Sequence, residues 1–446
     1  MAVVKRVLQR GTLLLLLVLI FQELALAGTT ADSSENIFWD NSISPDTTEI
    51  NGVIYTLTVY DNVLVAGGTF TKIGGVDANH IASWNGIDWA PLGTGIAGPE
   101  VDALTIFGSK LIVGGRFITA GGVTANDIAS WDGVSWAALG SGMGGSTSFV
   151  DALTIHDNKL IAGGGFTTAG GSTVNYIASW DGSFWSPLGT GTNAYVYDLL
   201  SLPIFDSDLV AGGGFTLAGG VLVNYIAVWN GSSWTALGTG MNGGVQDCAI
   251  YGNKLIVGGT FSTAGGVIAN GVASWGGSSW STLGTGMGGA AGYISFLCNY
   301  GNKLFAGGNF TSADSLSADN IAFWNGQTWS SLGTGVDNIV EALTVYQNKL
   351  IVGGYFNEAG GKEAAHIARW TSECCEGNRG DVNHDGTDAN ILDLTYLVDR
   401  VFRGGPIPGC PKEADVNSDA ASANILDLTF LVDRIFRGGP APGACS

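Results

Sequence analysis

The sequence predicts an all-β seven-bladed β-propeller followed by a small α-helical, calcium-binding C-terminal domain. Three observations carry that prediction: a unit repeated seven times, alternating apolar runs joined by turn dipeptides inside each unit, and a change of pattern at Cys374. The paired glycines of the unit begin at Gly67, Gly114, Gly163, Gly212, Gly258, Gly307 and Gly353. Its first tryptophan falls at Trp84, Trp131, Trp180, Trp229, Trp275, Trp324 and Trp370, so both landmarks step by 46 to 49 residues. A period of this size marks an architecture in which each copy buries its apolar face against its neighbours.

The chain opens with Lys5, Arg6 and Arg10, then an unbroken apolar run from Leu13 to Phe21, then Ala25-Leu26-Ala27. A basic stretch, a short apolar run and small residues at a cleavage point describe a secretory signal peptide, residues 1–27. A retained membrane anchor is the alternative, but the run is shorter than the roughly 20 apolar residues a span needs. Residues 28–35 read as a flexible leader, and no later segment reads as a membrane span. The expected location is therefore secreted, extracellular or cell-surface associated. A net charge of −20 argues against nucleic acid or an anionic membrane as partner.

Within the copy that starts at Val150, four strands are expected at 150–156, 159–166, 175–181 and 184–189. The first two meet at Asp157-Asn158, with Asp61-Asn62, Gly108-Ser109, Asp206-Ser207, Gly252-Asn253, Gly301-Asn302 and Gln347-Asn348 at the same place elsewhere. The last two meet at Asp181-Gly182, echoed by Asn85-Gly86, Asp132-Gly133, Asn230-Gly231, Gly276-Gly277 and Asn325-Gly326. Such dipeptides tolerate the positive φ of tight hairpins. Four antiparallel strands per period describe a propeller blade. The seventh copy lacks its fourth strand after Trp370, and residues 36–46 resemble the missing piece. The propeller is thus expected over 36–373, with an N-terminal strand closing blade seven and removing free edges.

The tryptophans read as packing between blades, with carbohydrate stacking as the alternative. Cys248 and Cys298, on strands of neighbouring copies, read as small core residues. A run such as Leu-Ile-Val-Gly-Gly, an aromatic, then Ile-Ala-Ser-Trp-Asp-Gly-x-x-Trp resembles the kelch-type repeat of propellers related to galactose oxidase. That resemblance covers about 36–373 and implies the propeller fold. It departs from the kelch pattern in a shorter loop and in Trp where Tyr is usual.

Enzyme chemistry finds little purchase. The histidines within the repeats are His80, His156 and His366, in three different copies, with His80 and His366 at one repeat position, which argues against a copper centre. Between 36 and 373 the arginines are Arg116 and Arg369, too few to clamp a carboxylate as a sialidase does. Asp102, Asp151, Asp198, Asp247 and Glu341 come at an equivalent place near the start of the first strand, the innermost of a propeller blade, where they would crowd one mouth of the central channel. Repetition at one place favours a structural role or weak cation binding. A hydrolase or lyase using those carboxylates is the rival reading. The loops 96–100, 143–149 and 287–293, where copies differ, are where specificity would lie.

Beyond Cys374 two segments recur 34 residues apart, each with oxygen ligands at alternate positions: Asp381, Asn383, Asp385 and Asp415, Asn417, Asp419. Such spacing on a turning loop converges on a hard cation. Each loop leads into an amphipathic helix, with Leu394, Leu397, Val398, Val401 and Phe402 on the first and Leu428, Leu431, Val432, Ile435 and Phe436 on the second. The tandem arrangement, over about 378–446, resembles a type I dockerin, a module of two EF-hand-like loop-helix units. The resemblance implies two calcium sites, with Asp393 and Asp427 as terminal ligands and Asn390 and Asn424 at the family's asparagine. Each loop is one residue longer than the family's, and Ala420 replaces the turn glycine Gly386, so the second site is expected to be the weaker. It also implies a cohesin-type partner on a scaffold or cell surface. Domain 374–446 is therefore read as the attachment module. Cys374, Cys375, Cys410 and Cys445 leave one or two disulfides open there. The propeller is read as a non-catalytic binding platform for an extracellular polysaccharide or protein.

Overall fold

The computed structural model describes residues 36, 38–44, 50–202, 208–289, 292–371, 391–403 and 425–437. The signal peptide, the leader, the turn Asp206-Ser207 and the four C-terminal cysteines lie outside the described residues. The chain divides into two compact units, one containing 41–368 and the other 34–40 with 369–446.

The repeat folds as the alternation of its side chains requires. Val150–His156 pairs with Lys159–Gly164, that strand with Ile177–Trp180, and that one with Trp185–Pro187, all antiparallel. Six four-stranded sheets follow this sequential order, and a seventh runs Trp39–Asp40, Ile367–Trp370, Lys349–Gly354, Val340–Tyr346. The first strands of successive copies lie side by side, and Val340–Tyr346 lies beside Ile54–Tyr60. This is a propeller-like all-β repeat. Trp39 stands opposite Trp370 and Asp40 opposite Arg369, whose guanidinium reaches the Asp40 carboxylate at 2.8 Å.

The strands after the first are shorter than the alternation suggests, because the residues between the second and third fold into a small hairpin of their own. In the third copy Thr168–Ala169 pairs with Ser172–Thr173 around Gly170-Gly171. These glycines hold φ of +58° and +83°, a left-handed turn that L residues enter only with strain. The start of the segment after each Leu-Gly-x-Gly run pairs with the hairpin of the following copy. Met143 faces Ala169, Ile96 faces Ala120, and Val336 faces Ala359.

Two contacts recur between consecutive copies. The first glycine of each pair faces a β-branched residue that opens the next copy: a Cβ on Gly163 would stand 2.6 Å from Val196 Cγ1. The same contact joins Gly353 to Ile54, where a Cβ would stand 2.7 Å from Cγ2, so the last copy meets the first as each copy meets its successor. The second tryptophan supplies the other contact. Trp185 is buried and its Nε1–H donates to the Leu139 carbonyl of the preceding copy at 3.0 Å. Trp89, Trp136, Trp234, Trp280 and Trp329 do the same toward Ile43, Leu92, Leu188, Leu237 and Leu283. A buried indole N–H left without an acceptor would cost more than the bond itself contributes, so each bond fixes its ring in place. Packing between copies, not carbohydrate stacking, accounts for these rings. Cys248 is buried and Cys298 half-buried, and both are free thiols.

In the second unit, helices α1 (Ile391–Arg403) and α2 (Ile425–Arg437) meet through Leu397 and Leu431, both fully buried. Leu394, Val401, Leu428 and Ile435 flank them as the periodicity predicts, and Tyr396 and Phe430 join the same cluster.

Replacing Gly163 by Ala drives a methyl into Val196 and is expected to lower unfolding free energy by about 1–3 kcal/mol. Val134→Ser, at a side chain 86% exposed, should change it by less than about 0.5 kcal/mol. Urea unfolding midpoints check both, and a neutral Gly163→Ala would remove the contact from the account of how copies are joined.

Candidate functional site

At the start of every first strand the ladder skips a residue. The register shifts across Tyr55, Asp102, Asp151, Tyr197, Gln246, Ser295 and Glu341, one in each copy. A bulge turns the extra side chain away from the ladder. All seven of these residues line one cavity of about 240 Å³ among the first strands. Glu341, Tyr55, Asp102, Asp151 and Tyr197 come from five consecutive copies, so carboxylates and phenols fill one arc of the wall. Gln246 and Ser295 complete it.

The five acidic residues singled out from the sequence all line this cavity, but they are not one repeat position. Asp198 and Asp247 lie one residue further along, opposite Gly212 and Gly258 in the ladder, where other copies carry Ala103, Ala152 and Ala342. The bulge makes the difference: it sets neighbouring sequence positions at different angles to the cavity. Sequence reasoning missed Tyr55, Tyr197, Gln246 and Ser295 because it looked for repeated acids. The signal that finds them is the opposite one, a position just after a constant β-branched residue at which the copies disagree.

The electrostatics follow from crowding. Burial pushes the Asp102 carboxyl up to about 8, with the charges of Asp151 and Glu100 adding to it and Arg116 opposing. Burial, then Glu100, raises Asp151 to about 7, again against Arg116. Arg116 reaches Glu100 at 3.7 Å and lies 5.1 Å over the Phe149 ring. Glu341 is raised by burial and partly relieved by a hydrogen bond from Ser295. Asp198 and Asp247 form a close buried pair, both raised chiefly by burial, so ionising one opposes ionising the other. The Leu297 amide donates to Asp247 Oδ2, and the Tyr55 and Tyr355 hydroxyls lie 2.9 Å apart. Near neutral pH this wall offers both donor and acceptor carboxyls beside phenols. It suits polar or cationic ligands. Among the described residues, no three His, Cys, Asp or Glu side chains converge as metal ligands do.

His80 and His366 take one structural place in the repeat. They sit at φ of +64° and +59°, and Asp127, Tyr176, Tyr225, Gly271 and Asn320 hold the same left-handed corner in other copies. The backbone N–H at this corner donates to Phe70 and Phe356 carbonyls in the two histidine copies.

In the C-terminal unit Asp393 lies in the first turn of α1 and is fully buried. An acidic group in the first turn of a helix is favoured by the free backbone N–H groups and the positive end of the helix dipole there. Asp427 falls in α2, with its side chain outside the described residues. Asp381, Asn383, Asp385, Asn390, Asp415, Asn417, Asp419 and Asn424 also lie outside them.

A family model described as a domain of unknown function (DUF5122) β-propeller matches residues 156–178. No curated protein matches the chain. Among solved structures, the WD40 β-propeller domain of Doa1 is 11% identical, with 75% of this chain and 97% of that one covered at a TM-score of 0.47. The extracellular domain of a hybrid two-component system from B. thetaiotaomicron is 10% identical, covering 78% and 42% at a TM-score of 0.49. A computationally designed protein, Ika8, is 17% identical, covering 74% and 98% at 0.43. Among the described residues no helix is long and apolar enough to cross a membrane.

The raised carboxyls set a pH dependence. Asp102 holds its proton in the folded chain to about pH 8, whereas an unfolded Asp releases it near pH 4. Between those values the folded state binds more protons, so this group's contribution to stability falls as pH rises. Asp102→Asn should therefore be more stabilising at pH 8 than at pH 4. Urea midpoints at the two pH values test it, and equal effects would show that Asp102 ionises freely.

Proposed function

We propose that this chain is a secreted binding protein with two working parts: a seven-bladed propeller that presents a ligand surface, and a calcium-dependent module that fixes it to a partner. One observation carries the first part. The residues that every copy shares are consumed in joining copies together, while the residues at which copies differ line the central cavity. That division of labour suits a rigid scaffold with a tailored surface. The pairing of Trp39 with Trp370 supports a closing N-terminal strand and a propeller spanning 36–373. The double glycines and spaced tryptophans support a kelch-type repeat within the propellers.

For the second part, the buried Asp393 and the Leu397–Leu431 contact support a paired loop-helix module over 374–446. Asp381, Asn383, Asp385, Asn390 and Asp393 would hold one calcium ion, and Asp415, Asn417, Asp419, Asn424 and Asp427 a second, weaker one. Calcium supplies the charge that lets such carboxylates gather, and a module this short has a small core of its own. A cohesin-type protein on a scaffold or cell surface is the expected partner.

A second reading has its own observation. Asp102 and Asp151 share a cavity with Glu341, and carboxyls raised toward neutrality are what a general acid needs. A carbohydrate-active hydrolase or lyase would then use the channel wall.

Chelating calcium should abolish capture of a cell-surface partner by the full chain, and Asp393→Ala should weaken calcium binding by about tenfold or more, the worth of one charged ligand. Capture indifferent to chelator would sink the attachment role. Assayed against a glycan panel, turnover lost on Glu341→Gln and Asp102→Asn would favour the hydrolase or lyase; binding without turnover favours the platform.

A further inference from the structure

A cavity of about 760 Å³ lies away from the channel, in the cleft between the fifth and sixth copies. That volume is within the range of small-molecule pockets. Tyr251 and Trp324 border it, with Lys254, Ser274, Asn299 and Asn302 among its polar groups, and no carboxylate lines it. In a chain of net charge −20 an acid-free cavity containing a lysine is a local exception.

One departure from the repeat contributes a polar group to it. Asn299 stands where the other copies carry Val59, Ile106, Ile155, Ser201, Ile250 and Val345. The Asn299 amide donates to the Ile250 carbonyl at 2.7 Å, and the side chain is otherwise exposed to the cleft. The turn between third and fourth strands is without an acid as well, as it is in the first, fourth and sixth copies, where Asn85, Asn230 and Asn325 open it. In the second and third copies the turn acids Asp132 and Asp181, held by backbone amides, also feel Lys110 and Lys159. In the fifth copy that turn opens with Gly276, so Lys254 has no turn acid beside it. Among the described residues no carboxylate pairs with Lys254.

We propose that this cleft binds an acidic sugar residue of a polysaccharide, with Lys254 meeting the uronate carboxylate, the Asn299 amide a ring hydroxyl, and Tyr251 and Trp324 the apolar face of the ring. Each element answers one feature of such a ligand. An ammonium pairs with a carboxylate, an amide offers both donor and acceptor, and the amphipathic Tyr and Trp meet a ring that is apolar on its face and polar at its rim. The inference rests on the propeller being a binding platform and names one of its ligands.

Isothermal titration of the full chain with tetragalacturonate, at constant calcium, tests it, with cellotetraose as the neutral control. Asn299→Val installs a residue other copies already carry at that place, so the fold is expected to survive, with thermal midpoint checked alongside. Tetragalacturonate should bind in preference to cellotetraose. Asn299→Val and Lys254→Gln should each weaken it by about tenfold, the loss of one hydrogen bond or ion pair to a charged ligand. Absence of tetragalacturonate binding, or binding untouched by both changes, overturns the cleft assignment. Binding lost instead on Asp102→Asn overturns it too, while leaving the platform reading standing at the channel.

Discussion

The structure depends on one close approach: a glycine in the second strand of each copy against the branched side chain that opens the next. With hydrogen in place of Cβ, Gly163 lets Val196 seat directly on its backbone, and the same pairing passes from Gly67 and Val101 round to Gly353 and Ile54. The contact fixes how closely consecutive sheets stand at their inner edges. The tryptophan on the fourth strand fixes their outer edges, because its N–H must reach a carbonyl one copy back. A small residue inside and a large one outside give every sheet a wedge shape. Such wedges set side by side leave a narrow space among the first strands, and that space is the cavity with the seven bulged side chains.

The same geometry explains why the inner ring is free to vary. A ladder residue paired across to the second strand must fit a neighbouring copy, as Ala152 and Ala342 do opposite Gly163 and Gly353. A bulged residue has no such neighbour to satisfy, so Tyr55, Asp102, Gln246 and Glu341 can share one place in the repeat. Where the ladder position itself departs, at Asp198 and Asp247, burial raises both carboxyls and the backbone amides of Leu297 and Cys248 compensate in part. The inner wall thus holds two kinds of acid. One kind faces the cavity by virtue of the bulge. The other is built into the joint between the fourth and fifth copies.

Period, turns and strand order were legible in the sequence, since each rests on local chemistry: alternation for strands, Asn-Gly and Asp-Gly for hairpins, Gly-Gly for a sharp corner. The small hairpin at Thr168–Thr173 was not, because two-residue strands carry no periodicity. The bulge was not either. It is a property of two strands in register, and no residue type announces it. Hence Asp198 looked equivalent to Asp151, when one place along the ladder separates them. The helices of the second unit were legible for the reason the bulge was not: a 3.6-residue stripe that includes Leu397 or Leu431 lies within one segment.

Function in a repeat of this kind is found by subtraction. Whatever recurs in every copy is already explained by the joints between copies, and it is explained twice over for the glycines and the tryptophans. What remains is a short set of exceptions, and their positions are informative because the scaffold holds their surroundings constant. Asn299, where five of the six other copies carry an aliphatic residue, is such an exception, and it lines an acid-free pocket in the joint between two sheets. The acidic arc of the channel is the other concentration of exceptions, of opposite charge. An acidic chain with one cavity that attracts cations and another that tolerates anions can hold two chemically different ligands without either site resembling the other, on blades that are otherwise the same.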